Sequence, residues 1–295
     1  MTTTEPPSVT QFQELVVDPR RRHAEYATMV PRYYQLVGDI YQQAWGASQH
    51  FAPYRSGQSR AEAITALEHD LADRAGIAAG DRVLEVGSGV GGPACTVAAR
   101  TGARVTGVDL VPGRVRAARR AARERGLDDR VSFHVADATR LPFTRAAFTA
   151  AYSFEALCHV PDKARAHAEV ARVLHPGGVW SGYDWVRADS AGTSRVVETI
   201  CRAHGVAALS TLDELHRDLM AAGFTDIHVS DARTLGDWEA NWVLLEELLG
   251  LLPPPEQRQP VLGMMADGGR ALCDGARSGE FLIGHWYARR PGRTA

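Results

Sequence analysis

Apolar residues along this chain fall into two kinds of pattern. Tyr26, Met29, Val30, Tyr33, Tyr34, Val37, Ile40 and Tyr41 recur every three or four residues, as do Ile64, Leu67, Leu71 and Ala75. That spacing predicts two amphipathic helices. Pro31 either kinks the first or opens a new helix at its first turn, and Gly76 stops the second. From residue 83 the pattern changes to short segments that read as strands, at 83–86, 103–109, 131–138, 148–153 and 179–185, with helical stretches at 112–125 and 163–174. Such an alternation predicts a parallel sheet covered on both faces. Thr211-Leu212-Asp213-Glu214 is a capping box that opens a helix ending at Gly223, and the last two strands are expected at 227–229 and 281–288. The expected organisation is a flexible N-terminus over 1–22 (with 1–9 disordered) and a helical cap or lid over 23–76. An α/β core follows over 77–231, then a helical insertion over 232–278 and a last core strand with its tail over 279–295.

The core is organised around Arg82-Val83-Leu84-Glu85-Val86-Gly87-Ser88-Gly89-Val90-Gly91-Gly92-Pro93. This reads as a buried strand, a glycine turn and a helix start. Glycines let the backbone approach a ligand closely, and the helix N-terminus offers free N–H groups to a polar or anionic group. The turn also satisfies G-x-G-x-x-G, so the pattern alone does not name the nucleotide. Asp109, at the end of the second strand, stands where a carboxylate takes two ribose hydroxyls. Asp137, at the end of the third, is placed to accept from an adenine amino group.

Glu85-Val86-Gly87-Ser88-Gly89, Asp109, Asp137-Ala138 and His175-Pro176-Gly177-Gly178 occur in that order over about residues 80–185. In this the chain resembles the class I S-adenosylmethionine-dependent methyltransferases. The resemblance implies a Rossmann-like seven-stranded sheet whose last strand is antiparallel, with S-adenosyl-L-methionine as cofactor. It also implies cofactor contacts from Glu85, Gly87, Ser88, Gly89, Gly91, Asp109, Leu110, Asp137, Ala138 and Ser153. A narrower resemblance rests on Tyr33-Tyr34-Gln35-Leu36-Val37, Tyr41, Trp45-Gly46-Ala47-Ser48-Gln49-His50-Phe51-Ala52, Gly91-Gly92-Pro93-Ala94, Phe154-Glu155-Ala156-Leu157-Cys158-His159-Val160-Pro161 and Gly182-Tyr183-Asp184-Trp185-Val186. These segments are similar to those of the sterol C24-methyltransferases and relatives that methylate other isoprenoid double bonds. Asp184 departs from the glutamate of that group.

Composition narrows the picture little. The chain has 295 residues and a formal net charge of −2, so nothing argues for a nucleic-acid partner. Its basic residues are nearly all arginine. Hence the six arginines between 114 and 125 read as a solvated helix face. Four scattered cysteines without C-x-x-C spacing suggest reduced thiols in a cytoplasmic protein and no metal site. No stretch reads as a membrane span or signal-peptide core.

The narrower resemblance implies a hydrophobic small-molecule substrate. An alkene nucleophile needs no base at first. It takes the methyl group and leaves a carbocation that the protein must shield and later deprotonate. Aromatic faces stabilise a cation, and Tyr33, Tyr41, Trp45, Phe51, Phe154, Tyr183 and Trp185 are the candidate pocket walls. Glu155, His159 and Tyr34 are the candidate catalytic residues. Glu155 and His159 are four apart and share a face if their segment is helical. The reading is C-methylation of an isoprenoid double bond, with cyclisation after methylation kept open. O- or N-methylation with His159 as base, and a protein of this fold that binds or cyclises without methyl transfer, stand as alternatives. Trp238 and Trp242 suit core, substrate wall or subunit contact, and a homo-oligomer is expected.

Overall fold

The structure is a computed structural model that describes residues 8–192 and 194–292. Two short helices, α1 (Val9–Val16) and α2 (Pro19–Ala24), precede the long α3 (Tyr26–Trp45) and α4 (Arg60–Arg74). The core follows as β1 (Arg82–Val86), α5 (Gly92–Thr101), β2 (Arg104–Asp109), α6 (Pro112–Glu124), β3 (Val131–Val135), β4 (Phe148–Phe154), α7 (Lys163–Val173) and β5 (Leu174–Arg187). Then come α8 (Arg195–His204), α9 (Leu212–Ala221), β6 (Thr225–Asp231), α10 (Glu239–Gly250), α11 (Pro260–Ser278) and β7 (Phe281–Arg289).

The seven strands form one sheet in the order β3-β2-β1-β4-β5-β7-β6. β7 runs antiparallel to both its neighbours, and the other pairings are parallel. This is the α/β arrangement expected from the sequence. Val83 and Leu84 of β1 point into separate cores, one under α4, α5, α6, α8 and α11, the other under α7 and α9. That is why Val83, Leu84 and Val86 put apolar side chains on both faces of the strand. Strand order reverses between β1 and β4, which opens a crevice at the carboxyl ends of the strands. His175-Pro176-Gly177-Gly178 is absorbed into the long β5, where the pairing with β4 shifts register.

The N-terminus departs from expectation. Residues 1–7 lie outside the described residues, but 8–22 are not a flexible tail. Ser8 and Gln11 form a capping box at the start of α1, and Phe12, Leu15 and Val16 are buried. They pack with Met29, Val30, Tyr33 and Val37 of α3. Arg22 is buried too, donating to Val16 O and pairing with both oxygens of Glu198 on α8. α3 continues through Pro31 as one helix. It ends at Trp45, and Gly46 turns the chain at φ +73°.

The insertion is helical as expected, yet its tryptophans are core residues. Trp238 donates Nε1–H to Ala232 O, and Trp242 packs edge-on against Phe51 and Phe281. The arginine-rich α6 is not wholly a solvated face either. Arg119 donates to Phe133 O, and the Arg114 side chain is only 12% exposed.

Because Phe12 is fully buried against Tyr33, Phe12→Ala is expected to cost about 3 kcal/mol of stability. Urea denaturation checks this. An unchanged midpoint would mean that α1 is not docked on α3.

Candidate active site

Two cavities open beside the carboxyl ends of β1, β2, β4 and β5, and they share a wall made of Tyr34, Gln49, His50, Glu155 and His159. The first is lined by the glycine turn and its acids, including Glu85, Gly87, Ser88, Gly89, Asp109, Leu110, Asp137 and Ala138. Gly87 takes φ +77°, and a Cβ there would lie 2.1 Å from the Ala156 Cβ, so only glycine fits between β1 and the loop after β4. Asp109 accepts from Gly89 N (2.9 Å) and Val111 N (2.8 Å), and burial raises its pKa. Asp137 accepts from Thr139 N and Oγ1 and from the Tyr26 hydroxyl. Burial raises its pKa, but the hydrogen bonds outweigh this and the net shift is downward. Tyr26 is itself pushed up to about 12 by burial and by that carboxylate.

Glu85 Oε2 and Ser88 Oγ are buried in this cavity without hydrogen-bond partners. Orphaned polar atoms in a glycine cradle fit a polar ligand. An adenosine bearing a cationic amino-acid arm meets the acids around it. Two expected contacts lie elsewhere. Gly91 does not line the cavity; it caps α5 at φ +88° against Ala118 and Phe133. Ser153 is fully buried and donates to Val86 O, tying β4 to β1.

The second cavity, of about 230 Å³, is mostly apolar. Tyr33, Tyr41, Trp45, Phe51 and Trp185 line it, and its other lining includes Leu245, Leu248, Leu249, Leu252, Leu262, Met265 and Leu272. The insertion therefore contributes leucines to this wall rather than its tryptophans. Phe154 lines the first cavity instead, stacked on His50 at 4.4 Å. Tyr183 lines neither. It sits in the core between Phe154 and His285. Asp184 also stays behind the site, buried near Lys163 and bonded to Trp185 N, and burial raises its pKa to about 7.

Glu155 and His159 reach the shared wall by separate routes, not from one helical face. Glu155 takes a left-handed conformation, φ +48°, uncommon for a residue with a Cβ, and a short 3-10 turn at Leu157–His159 follows. Glu155 Oε1 accepts from Phe51 N and Oε2 from Trp185 Nε1, both at 2.7 Å. Burial raises its pKa. His159 Nδ1–H donates to Gly205 O at 3.0 Å, so its Nε2 accepts from the Tyr34 hydroxyl, also at 3.0 Å. Burial depresses this imidazole to about 4, which leaves it neutral. Beside it, His204 Nδ1 lies 3.1 Å from Tyr33 OH, which in turn lies 2.8 Å from Tyr41 OH. Arg114, His50 and His204 escape a reading from sequence. Arg114 is hidden among like residues, while the two histidines are brought to the site by the loop after α3 and by α8.

Residues 84–181 match the family described as a methyltransferase domain. The matched segment, the sheet and the cavity are those of a class I S-adenosylmethionine-dependent methyltransferase domain, and the acids of the cavity fit S-adenosylmethionine as its cofactor. The chain is 36% identical to the sterol 24-C-methyltransferase of Eremothecium gossypii over 227 residues, which are 75% of this chain and 61% of that enzyme. It thus spans about three fifths of that relative's length. Among solved structures it is similar to the [4+2]-cyclase SpnF, with a TM-score of 0.76 and 27% identity over 90% of this chain and 97% of that one. It also shares its fold with a geranyl diphosphate C-methyltransferase from Streptomyces coelicolor A3(2). That comparison gives a TM-score of 0.71 and 21% identity over 90% of this chain and 97% of that one. Among the described residues no helix is long and apolar enough to cross a membrane, and no three His, Cys, Asp or Glu side chains group as a metal site.

Asp109→Ala is expected to weaken S-adenosylmethionine binding about tenfold or more, the scale of hydrogen bonds to a charged group. Calorimetry measures this, and an unchanged dissociation constant would mean that the ribose is held elsewhere. His159 is expected to stay neutral as pH falls through 6.5 and to protonate only near 4. A ¹⁵N titration of the imidazole reports the midpoint, and one near 6.5 would contradict the buried, accepting Nε2.

Proposed function

We propose that this protein transfers a methyl group to a carbon–carbon double bond of an isoprenoid chain. The observation that carries this reading is the wall shared by the two cavities. On one side is the cofactor cavity, and on the other a mostly apolar space ending in leucines. The cofactor supplies an electrophilic methyl group. Glu85, Gly87, Ser88, Gly89, Asp109, Leu110, Asp137 and Ala138 would hold it, and Glu155 and His159 stand between that cavity and the apolar one. Similarity to the sterol 24-C-methyltransferase supports an isoprenoid as the acceptor.

Each wall residue then has a task. Tyr33, Tyr34, Tyr41, Trp45 and Trp185 face the cationic carbon left after methylation and exclude water, and aromatic faces stabilise a desolvated cation by about 2 kcal/mol. Glu155, pinned by Phe51 N and Trp185 Nε1, adds a fixed negative charge beside it. His159 is neutral with Nε2 turned to the cavity, so it accepts the proton that the cation loses, with the Tyr34 hydroxyl moving aside or relaying it. We place the enzyme in the cytoplasm, where its free, buried cysteines stay reduced.

Likeness to the cyclase SpnF favours a second reading, in which the same apolar cavity folds a polyene for ring closure, either after methylation or without it. One experiment separates the two. The protein is incubated with methyl-labelled S-adenosylmethionine and prenylated compounds, sterols and prenyl diphosphates, each paired with its saturated analogue. The expected result is label on unsaturated members only, with S-adenosylhomocysteine formed. Label on both members of a pair would mean heteroatom methylation, and ring closure without S-adenosylhomocysteine would favour the second reading. Glu155→Gln is expected to bind the cofactor normally and lose about a hundredfold in turnover, the scale of a lost electrostatic contact. Normal turnover would remove Glu155 from the catalytic set.

A further inference from the structure

Arg114 is the arginine that lines the cofactor cavity, and it touches both the core and the lid. It is the third residue of α6, five positions after Asp109. Its guanidinium carbon lies 3.9 Å from the centre of the Tyr34 ring, which belongs to α3. The guanidinium also packs on the glycine turn, where a Cβ on Gly89 would lie 2.4 Å from an Arg114 terminal nitrogen. The Nε atom is buried without a hydrogen-bond partner and lies 3.9 Å from Asp109 Oδ2.

That separation is too long for a direct hydrogen bond. It suits a donor and an acceptor that share one hydroxyl between them. Such a hydroxyl accepts from Arg114 Nε–H and donates to Asp109 Oδ2, and the ribose of the cofactor carries two vicinal hydroxyls. We propose that Arg114 binds a ribose hydroxyl together with Asp109 and, through its stack on Tyr34, ties cofactor occupancy to the hydrogen bond between Tyr34 and His159. Arg114 is thus a cofactor ligand on one side and a positioning residue for His159 on the other. An arginine suits both tasks, because a planar guanidinium stacks on an aromatic face while its edge still donates. The contacts form a chain from the ribose seat through Asp109, Arg114 and Tyr34 to His159 Nε2. The proposal stands apart from the identity of the methyl acceptor, and so does its test.

The test uses S-adenosylhomocysteine and its 2′-deoxy and 3′-deoxy forms as probes, with the wild type, Arg114→Met and Arg114→Lys. Calorimetry is expected to show that one deoxy form binds the wild type about tenfold more weakly than the parent. The penalty for that missing hydroxyl shrinks at least threefold in both variants, because lysine has neither the Nε donor at that point nor the planar stack. The ¹⁵N resonance of His159 Nε2 is expected to shift when S-adenosylhomocysteine binds the wild type and to stay put in the variants. An equal hydroxyl penalty in all three proteins would overturn the proposal, as would a His159 response independent of Arg114. So would wild-type behaviour of Arg114→Lys, since charge alone would then suffice. Arg114→Lys carries the test if Arg114→Met does not fold.

Discussion

A single buried carboxylate joins the parts of this molecule that must act together. Glu155 stands at the end of β4, accepts from Phe51 N in the loop after α3, and accepts from the indole of Trp185 near the end of β5. A carboxylate so placed is costly unless hydrogen-bonded. The loop after α3 and the core therefore meet at Glu155 in one arrangement, and the left-handed backbone at that position is held by the contacts around it. With the lid loop fixed, Gln49 and His50 fall between the two cavities. His50 is further held by Phe51 O and Glu68 and stacks on Phe154.

The same burial sets the electrostatics. His159 and His204 are each depressed to about 4 by desolvation, so these two imidazoles are neutral where they line the apolar cavity. Aromatic faces, neutral imidazoles and one hydrogen-bonded carboxylate suit a cation that forms on the substrate. Hydrogen-bond direction completes the design. The carbonyl of Gly205 fixes which nitrogen of His159 carries its proton, and thereby leaves Nε2 as the acceptor.

Much of this was legible in the sequence where local rules act. Strand-like segments, glycine turns and the capping box at Thr211 predict the sheet and the glycine cradle, with Asp109 and Asp137 at strand ends. What escaped depended on distant contacts. Polar and proline residues in 1–10 suggest disorder, but Phe12, Leu15 and Val16 find a partner in α3. Eight residues are too few for periodicity to show that docking. Arg114 is one of five arginines on α6, and sequence spacing cannot single out the one whose helix start brings it over Tyr34. Glu155 and His159 are four apart, as on a helix, yet a left-handed residue and a 3-10 turn carry them to the wall instead. Tyr183 and the two insertion tryptophans are aromatic in the right segments, but they are consumed by the core.

The measurement that tests the central claim most directly is the structure of the protein bound to sinefungin, whose amine stands where the cofactor carries its methyl group. The account predicts that this amine emerges at the wall shared by the two cavities, beside Tyr34, Glu155 and His159, and faces the apolar space lined by Trp185 and the leucines of α10. An amine directed to open solvent, or an apolar cavity closed off from it by the lid loop, would contradict that account.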